Sequence, residues 1–389
     1  MEAPVRPDRD KPARCWVGEL GGACGDLGTL LPYALGAMTV AGLAPAGVLL
    51  GFGAFLMAAG LFYGMPMAVQ PMKVVGAVLL TGEIGAGELA AAGLLLGALM
   101  LTLGLTGVIG PVARLIPQSV TAGLQLGLGL TMAVLGLDLM GERPWFGLVV
   151  LAALLALMCV PRCPAALITL IAAAILGHAI GIVTIPDRIA FGWHWPSPAL
   201  PAWDEVWRAF ERAVLPQLPM TLTNAVIVTA ALSRDLFPQA AARATERSLT
   251  ISTGIANLVL APFGAMPMCH GAGGVQAQYR FGARTGLAPV LLGALLLVLA
   301  LGFADAAAGL LGLIPLPAVG VLLLITGADL ARSRRLFDAR PACWPAIGLT
   351  AALTVLVNPA VALVCGFTLE TARGPVMRLL KHLARRAAP

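Results

Sequence analysis

Charged side chains are scarce in this sequence, and their scarcity excludes an ordinary water-soluble protein. Asp, Glu, Lys and Arg make up 11% of the 389 residues, whereas apolar residues make up 59%. Soluble domains usually carry about 25% charged residues. The composition therefore predicts a polytopic integral membrane protein in a lipid bilayer. We attribute the net charge of +6 to membrane topology and expect no nucleic-acid partner.

Residues that carry common enzyme chemistry are also few and dispersed. The histidines are His178, His194, His270 and His382, and they form no cluster with metal-ligand spacing. The seven cysteines show no disulfide framework. No glycine-rich phosphate loop of the Walker type occurs, which argues against direct ATP drive. We expect no enzyme activity, no cofactor and no bound metal.

Apolar runs recur along the whole chain, separated by short turns rich in Gly, Pro or charge. Since a spanning helix needs about 20 mainly apolar residues, we predict an all-α fold with about fourteen spans. The predicted segments are 16–39, 45–63, 66–82, 87–109, 116–137, 145–160, 165–184, 216–232, 249–263, 267–282, 287–305, 316–330, 343–357 and 359–372.

The distribution of Lys and Arg predicts the orientation. If the N-terminus is inside, most of these residues fall in inner loops and tails, and the outer loops receive only Arg143, Arg188, Arg208 and Arg212. Positive residues collect on the cytoplasmic side of membrane proteins. We therefore expect both termini in the cytoplasm, in a bacterial inner (plasma) membrane. The predicted parts are a cytoplasmic tail at 1–15, spans at 16–184, an outer connection at 185–215, spans at 216–372 and a cytoplasmic tail at 373–389.

Three short sequences recur about half a chain length later, in the same order. "GMPMAVQPMK" (64–73) returns as "AMPMCHGAGG" (265–274), "LLPYALG" (30–36) as "QLPMTLTN" (217–224), and "LIPQSV" (115–120) as "LIPLPAV" (313–319). Collinear matches of this kind indicate an internal duplication. Because each half contains an odd number of predicted spans, the second half is expected to be inverted in the membrane, as in many secondary transporters.

Proline and glycine predict that spans 3 and 10 are broken. Pro66 and Pro71 prevent a continuous helix, and Pro71 suits the first position of a new one. Pro267 and the glycines from Gly271 mirror this arrangement in span 10. Both half helices would direct their N-termini, with unpaired N–H groups and a positive dipole end, toward the midplane. Such a place binds anions.

Three ionisable residues lie in or near apolar sequence around these breaks. Lys73 is in the first turn of the half helix in span 3, where it attracts an anion or forms a structural bridge with Asp26 or Glu19. Asp26 carries a proton or pairs with Lys73, and both alternatives remain open. Glu19 either shares these roles or lies at the inner interface.

Polar and glycine residues near the breaks are the other candidate ligands. His270 and Gln70 take matching positions and can donate hydrogen bonds to an oxyanion, and histidine also titrates near neutral pH. Asn224 lies opposite them in span 8. The predicted substrate-binding set is Thr29, Gln70, Lys73, Asn224, His270, Gly271, Ala272, Gly273 and Gly274.

Four segments resemble the signature segments of the molybdate transporters related to the sulfate permeases. They are "GDLGTLLP", "VQPMK", "LTNAVIVTAALSRDLFP" and "GAMPMCHGAGGVQAQYRFGARTG". The resemblance covers about 18–330. It implies the fourteen-span sulfate-permease and uracil-permease fold, with spans 1–4 and 8–11 as a moving core and spans 5–7 and 12–14 as a gate. Sulfate permeases continue into a soluble C-terminal domain, whereas few residues follow the last predicted span here, which is similar to the molybdate branch.

We therefore expect a secondary transporter of a tetrahedral oxyanion, most simply molybdate, which works by alternating access. Molybdate as the substrate follows from the resemblance alone, since sulfate and tungstate share its charge and shape. The alternatives are a sulfate or other anion carrier of the same fold, or an anion channel. The sequence leaves the oligomeric state open and is compatible with a homodimer.

Overall fold

The computed structural model describes residues 16–372 except positions 40, 81, 83, 112–115, 161–162, 187, 333, 358 and 360. The predicted tails at 1–15 and 373–389 lie outside the described residues. Helices lie within all of the predicted segments, and the first two have the predicted bounds, Trp16–Thr39 and Pro45–Tyr63. Helices also occur wholly or mostly outside these segments, at Trp203–Ala209, Ala304–Leu311 and Arg334–Phe337. Hydropathy and proline positions therefore located most of the helices.

The helices are numbered in chain order. They are α1 (Trp16–Thr39), α2 (Pro45–Tyr63), α3 (Lys73–Leu80), α4 (Ala86–Thr106), α5 (Gln118–Gly141), α6 (Pro144–Met158), α7 (Ala165–Ala179), α8 (Trp203–Ala209), α9 (Leu215–Met220), α10 (Thr229–Leu236), α11 (Glu246–Leu260), α12 (Ala272–Arg280), α13 (Leu287–Gly302), α14 (Ala304–Leu311), α15 (Leu316–Ala331), α16 (Arg334–Phe337), α17 (Trp344–Leu356) and α18 (Val361–Ala372). The π-helical segments Phe210–Val214 and Thr221–Val228 join α8, α9 and α10.

Length and composition identify only some of these helices as complete membrane spans. Among the described residues, α2, α4 and α5 are long and apolar enough to cross a membrane. The pair α14 and α15, bent by 66°, makes a fourth candidate. Several other apolar helices are shorter, so the number of about fourteen spans stays a prediction.

The prediction of an all-α fold is wrong at the two breaks. The segments before α3 and α12 are short strands, β1 (Val69–Pro71) and β2 (Met268–His270), which pair antiparallel with Val69 opposite His270. Pro71 ends β1, and α3 begins at Lys73, so Pro71 is not the first helical residue as predicted. Unwound backbone in an apolar interior needs hydrogen-bond partners, and these segments supply them to each other.

Pairs of glycines bring the main helices close together. α2 packs along α13, α4 along α11, and α5 along both α15 and α17. A Cβ built on Gly129 would lie 2.5 Å from the carbonyl oxygen of Gly327, and a Cβ on Gly327 would lie equally close to that of Gly129. Gly53 and Gly293 oppose each other in the same way in α2 and α13. Because apolar side chains gain little by leaving lipid, close backbone approach of this kind is a main source of helix association in membranes.

Candidate functional site

The paired strands bring the starts of two short helices to one place. β1 leads into α3 and β2 leads into α12, and the strands run in opposite directions. The N–H of Met72 continues the pairing by donating to the carbonyl oxygen of Pro267, at 2.9 Å. The first turns of α3 and α12 therefore lie beside the strand pair. Their N–H groups and positive dipole ends favour an anion at this position.

Asp26 is the centre of a buried hydrogen-bond network behind the strands. Its Oδ1 accepts from Nε2 of Gln70 at 3.0 Å, and its Oδ2 accepts from Nε2 of Gln278 at 3.1 Å. The N–H of Val69 also donates to this carboxyl group. Gln70 Nε2 donates to Thr29 as well. Asp26 thus orients Gln70 and joins α1, β1 and α12.

Two of the predicted glycines provide room for this network. A Cβ on Gly274 would collide with Asp26 Oδ1, Ala68 Cβ and Gln70 Nε2, and a Cβ on Gly271 would collide with Gln70 Oε1. Their lack of a side chain therefore permits the contact between α12 and the side chains of α1 and β1. The predicted role of these glycines in exposing N–H groups to a ligand stays a prediction.

A small cavity lies at the start of α3. Its lining residues are Gln70, Pro71, Lys73, Gln217, Met220, Asn224, Cys269 and His270. The predicted residues Gln70, Lys73, Asn224 and His270 thus come together, whereas Thr29 lies behind Gln70 and Gly273 packs toward Met132 in α5. The cavity has room for about one water molecule. An oxyanion therefore requires the surrounding helices to move apart.

Lys73 does not pair with Glu19 or Asp26, contrary to the structural alternative raised from the sequence. Among the described residues, none forms a hydrogen bond or an ion pair with the ammonium group of Lys73. Asp26 is engaged by glutamine side chains, as described above. Glu19 accepts the backbone N–H groups of Arg284, Thr285 and Ala288 at 3.0–3.2 Å. Both carboxyl groups are thus used by other elements.

The His270 side chain is held on both sides of its ring. Nδ1 lies 3.1 Å from the carbonyl oxygen of Ala68, and Nε2 lies 2.8 Å from the hydroxyl of Ser252, which is 2.7 Å from the hydroxyl of Tyr63. A carbonyl oxygen only accepts, so Nδ1 donates, and in the neutral ring Nε2 accepts from Ser252. Phe55 and Tyr63 pack against the ring. The His270 side chain therefore connects β2 to the residue that precedes β1 and to α2 and α11.

Several residues of these networks lie outside the predicted set, among them Gln217, Thr221, Gln278, Ser252 and Tyr63. Gln217 donates from Nε2 to Thr221 Oγ1 at 2.9 Å and accepts the N–H of Val74 at 2.9 Å, in the first turn of α3. It is the first residue of "QLPMTLTN", one of the repeated sequences. Gln278 is 252 residues from Asp26 and Tyr63 is 189 residues from Ser252, whereas Ser252 is 18 residues from His270. Their roles are evident only from the tertiary structure.

The profile of a protein family described as molybdate transporter of MFS superfamily matches residues 18–132 and 209–330. Two curated relatives are from Arabidopsis thaliana. Molybdate transporter 1 is 34% identical over 376 residues, which cover 83% of this chain and 80% of the relative. Molybdate transporter 2 is 33% identical, covering 82% of this chain and 78% of the relative.

Solved structures of two transporters share the fold. The transmembrane domain of the cyanobacterial bicarbonate transporter BicA has a TM-score of 0.59 and 20% identity, covering 91% of this chain and 98% of that chain. The murine Slc26a9 anion transporter, in its inward-facing state, has a TM-score of 0.64 and 13% identity, covering 97% of this chain and 70% of that chain. The sequence matches and the shared fold together show that this chain is an integral membrane protein that belongs to the molybdate transporter family.

Proposed function

We propose that the protein is a secondary transporter of molybdate, which binds in the cavity at the start of α3. The observation that carries this proposal is Lys73, a cation without an acidic partner in the described residues, located where the first turn of a helix also favours an anion. A cation within the membrane is costly unless a counter-charge offsets it. A divalent oxyanion supplies that charge, and Asn224 in the cavity lining supplies an amide donor. Both N–H groups of Gln70 are already used by Asp26 and Thr29.

The two groups of helices at 16–184 and 216–372 form the proposed inverted repeat. Exchanging the halves relates α1 to α9, α2 to α11, α3 to α12 and α4 to α13. Under this exchange the contact of α2 with α13 becomes that of α11 with α4, and the contact of α1 with α12 becomes that of α9 with α3. The pair of Val69 and His270 maps onto itself. This exchange of contacts supports the inverted plan and an outer connection at 185–215.

The proposed mechanism is alternating access, in which a core carrying the cavity moves past a gate. The resemblance assigns β1, β2, α3 and α12 to the core and α5 and α15 to the gate. Met132 of α5 packs over Gly273 at the start of α12, and the cavity is too small for the anion in this arrangement. Separation of α5 from α12 would open the site, and closure on the other side would complete the cycle.

Other parts of the proposal concern selectivity and placement. Sulfate and tungstate have the same charge and tetrahedral shape as molybdate, so we propose them as competing substrates. No central carboxylate among the described residues contacts this cavity, which argues against a nucleobase. We further propose a bacterial inner membrane, cytoplasmic termini and a homodimer. Glu19 and Asp26 have structural roles in this proposal, and His270 positions the strands.

Uptake by purified protein in phospholipid vesicles tests the function. We expect saturable molybdate uptake by the wild type, inhibited by tungstate and less strongly by sulfate. Lys73→Gln should raise the half-saturation concentration about tenfold or more, because a hydrogen bond to a charged group contributes about 1.5–3 kcal/mol. Lys73→Arg should recover part of the loss. Arg340→Gln, which neutralises an exposed arginine outside the cavity, serves as the control.

Two results would contradict this assignment. An unchanged half-saturation concentration in folded Lys73→Gln protein would remove Lys73 from the anion site. Loss of folded protein, with normal molybdate binding per remaining molecule, would show that Lys73 has a structural role. If the wild type takes up no molybdate but transports another oxyanion, the proposed location of the anion site is retained and the proposed substrate is replaced.

A further inference from the structure

An apolar groove runs along the outside of the molecule between α2 and α11. Its volume is about 500 Å³, within the range of ~300–1,000 Å³ found for small-molecule sites. The walls are almost entirely apolar, and Phe62, Ile255 and Val259 are each about half exposed. Ser248, Ser252 and Tyr63 are the polar residues that line it. An opening of this kind in a membrane protein faces hydrocarbon and accepts an apolar chain.

Positive charge lies at one end of the groove. Arg243 donates from Nη1 to the carbonyl oxygen of Phe62 at 3.3 Å, beside the last turn of α2. Arg247 precedes the groove residue Ile251 by one helical turn and donates to carbonyl oxygens at the end of α4. Both arginines are exposed, and neither pairs with a carboxylate among the described residues. Arg243 therefore lies at the Phe62 end of the groove. Arg247 lies in the first turn of α11, at the same end, with its guanidinium group on α4.

The dimensions of the groove match one leaflet of a bilayer. Its lining on α2 extends from Ala54 to Tyr63, which corresponds to about 14 Å of helix at 1.5 Å per residue. Half of a hydrocarbon core is about 15 Å thick. An acyl chain can thus lie along the groove while its headgroup remains at the level of the arginines.

We propose that this groove binds one anionic phospholipid, with an acyl chain between α2 and α11 and the phosphate on Arg243 and Arg247. Basic sites between membrane helices on the cytoplasmic side bind anionic headgroups, and the distribution of Lys and Arg predicts that side for the loop before α11. A zwitterionic lipid fits the apolar walls equally well but gains less from the two arginines. The charge therefore selects an anionic headgroup.

The bound chain would cover the outer side of the His270 network. Tyr63 and Ser252 line the groove and also connect to His270, which is fully buried. An acyl chain packed over them excludes water from these hydrogen bonds and holds α2 against α11. The lipid would therefore raise the stability of the protein around β2 without contacting the transported anion.

Lipid binding can be measured on full-length protein reconstituted in phosphatidylcholine vesicles with a minor fraction of phosphatidylglycerol. After detergent extraction, native mass spectrometry counts the lipids that remain bound. We expect one phosphatidylglycerol per chain and a higher melting temperature than in phosphatidylcholine alone. Arg243→Gln with Arg247→Gln should weaken phosphatidylglycerol binding about tenfold or more, since each arginine near an anionic lipid contributes about 1 kcal/mol.

Two matched substitutions separate the groove from general effects. Ile255→Trp fills the groove and should displace the lipid, whereas Leu356→Trp, at an exposed apolar position of α17, should not. Arg340→Gln controls for loss of an exposed arginine elsewhere. Equal retention of phosphatidylglycerol by the wild type and the double arginine variant would overturn the proposal. Wild-type protein that retains phosphatidylcholine as well as it retains phosphatidylglycerol would also overturn it. A dimer that excludes lipid and dissociates in Ile255→Trp would show that a second copy covers the groove instead.

Discussion

Residues around Asp26 are packed so closely that the site requires a glycine beside the polar side chains. Asp26 and Gln70 are both almost completely buried. They lie so close to Gly274 of α12 that a side chain at that position would collide with both. Buried polar groups of this kind are costly unless every hydrogen bond is formed. A small displacement of Asp26 therefore affects Gln70, which also lines the anion cavity.

Gly274→Ala should disturb this network directly. The added Cβ would overlap Asp26, Ala68 and Gln70, and overpacking of a well-packed core costs about 1–3 kcal/mol. We expect a lower melting temperature and weaker molybdate binding in the protein that remains folded. Gly348→Ala in α17 is the control, because its Cβ meets no atom within 4 Å and replacing glycine in a helix gains about 0.5–1 kcal/mol. Equal behaviour of the two variants would show that the close contact at Gly274 has no role.

Glu19→Ala should reduce stability more than transport per folded molecule. Glu19 accepts N–H groups that precede or begin α13. Its loss leaves the buried N–H of Ala288 and the part-buried N–H groups of Arg284 and Thr285 without this acceptor, and an unsatisfied buried donor costs about 1–3 kcal/mol. Glu19→Gln retains one acceptor oxygen and should recover part of the melting temperature. If Glu19→Gln instead keeps full stability but loses the pH dependence of uptake, Glu19 carries a proton and its role is not only structural.

At the scale of elements, α12 has contacts on both sides of the proposed boundary between core and gate. Its first turn joins β2 and the Asp26 network, and its last turn forms an ion pair with α15, in which Arg280 Nε lies 2.7 Å from Asp329 Oδ2. Both side chains are partly exposed, so the pair contributes only about 0–1 kcal/mol to stability. An interaction of this size can still shift two conformations of similar free energy.

Asp329→Asn should reduce the population of the conformation in which α12 lies against α15. Spin labels on Arg284→Cys and Arg332→Cys, in protein without native cysteines, report that distance by pulsed electron resonance. We expect the short-distance population to fall by up to about fivefold relative to the other state, with little change in melting temperature. Exchange of the charges, Arg280→Asp with Asp329→Arg, should restore the short-distance population. An unchanged distribution would mean that α12 and α15 do not separate, or that this pair does not hold them.

At the scale of the whole molecule, glycine contacts and the paired strands unite the two groups of helices. Gly53 meets Gly293, and Gly129 meets Gly327, so each of these contacts joins the first group to the second. β1 and β2 also come from different groups. Neither group can therefore be expected to form the cavity alone, since its lining includes Lys73 from one and Asn224 from the other.

The inverted repeat makes a direct prediction about topology. In protein without native cysteines, a membrane-impermeant thiol reagent added outside cells should label Ser197→Cys and should label Arg340→Cys only after the membrane is opened. Both positions are exposed, so accessibility depends on the side of the membrane. Labelling of both positions from the same side would overturn the inverted plan and the proposed location of the termini.

The sequence by itself determined where most of the helices lie and where two of the predicted spans are interrupted. Apolar runs and proline act locally, and for that reason the bounds of α1 and α2 and the breaks before α3 and α12 could be predicted. Lys73, Gln70, Asn224 and His270 could also be predicted as neighbours, because each lies in a motif at a break or opposite one.

Only the tertiary structure decided how these residues are used. Asp26 accepts hydrogen bonds from Gln70 and from Gln278, which is 252 residues away. Lys73, the cation predicted as its partner, instead lines the cavity. The strand pair likewise joins residues about half a chain apart. Buried polar groups bind whichever donors the packing brings within about 3 Å, and that proximity depends on how all the helices pack, which no local pattern contains.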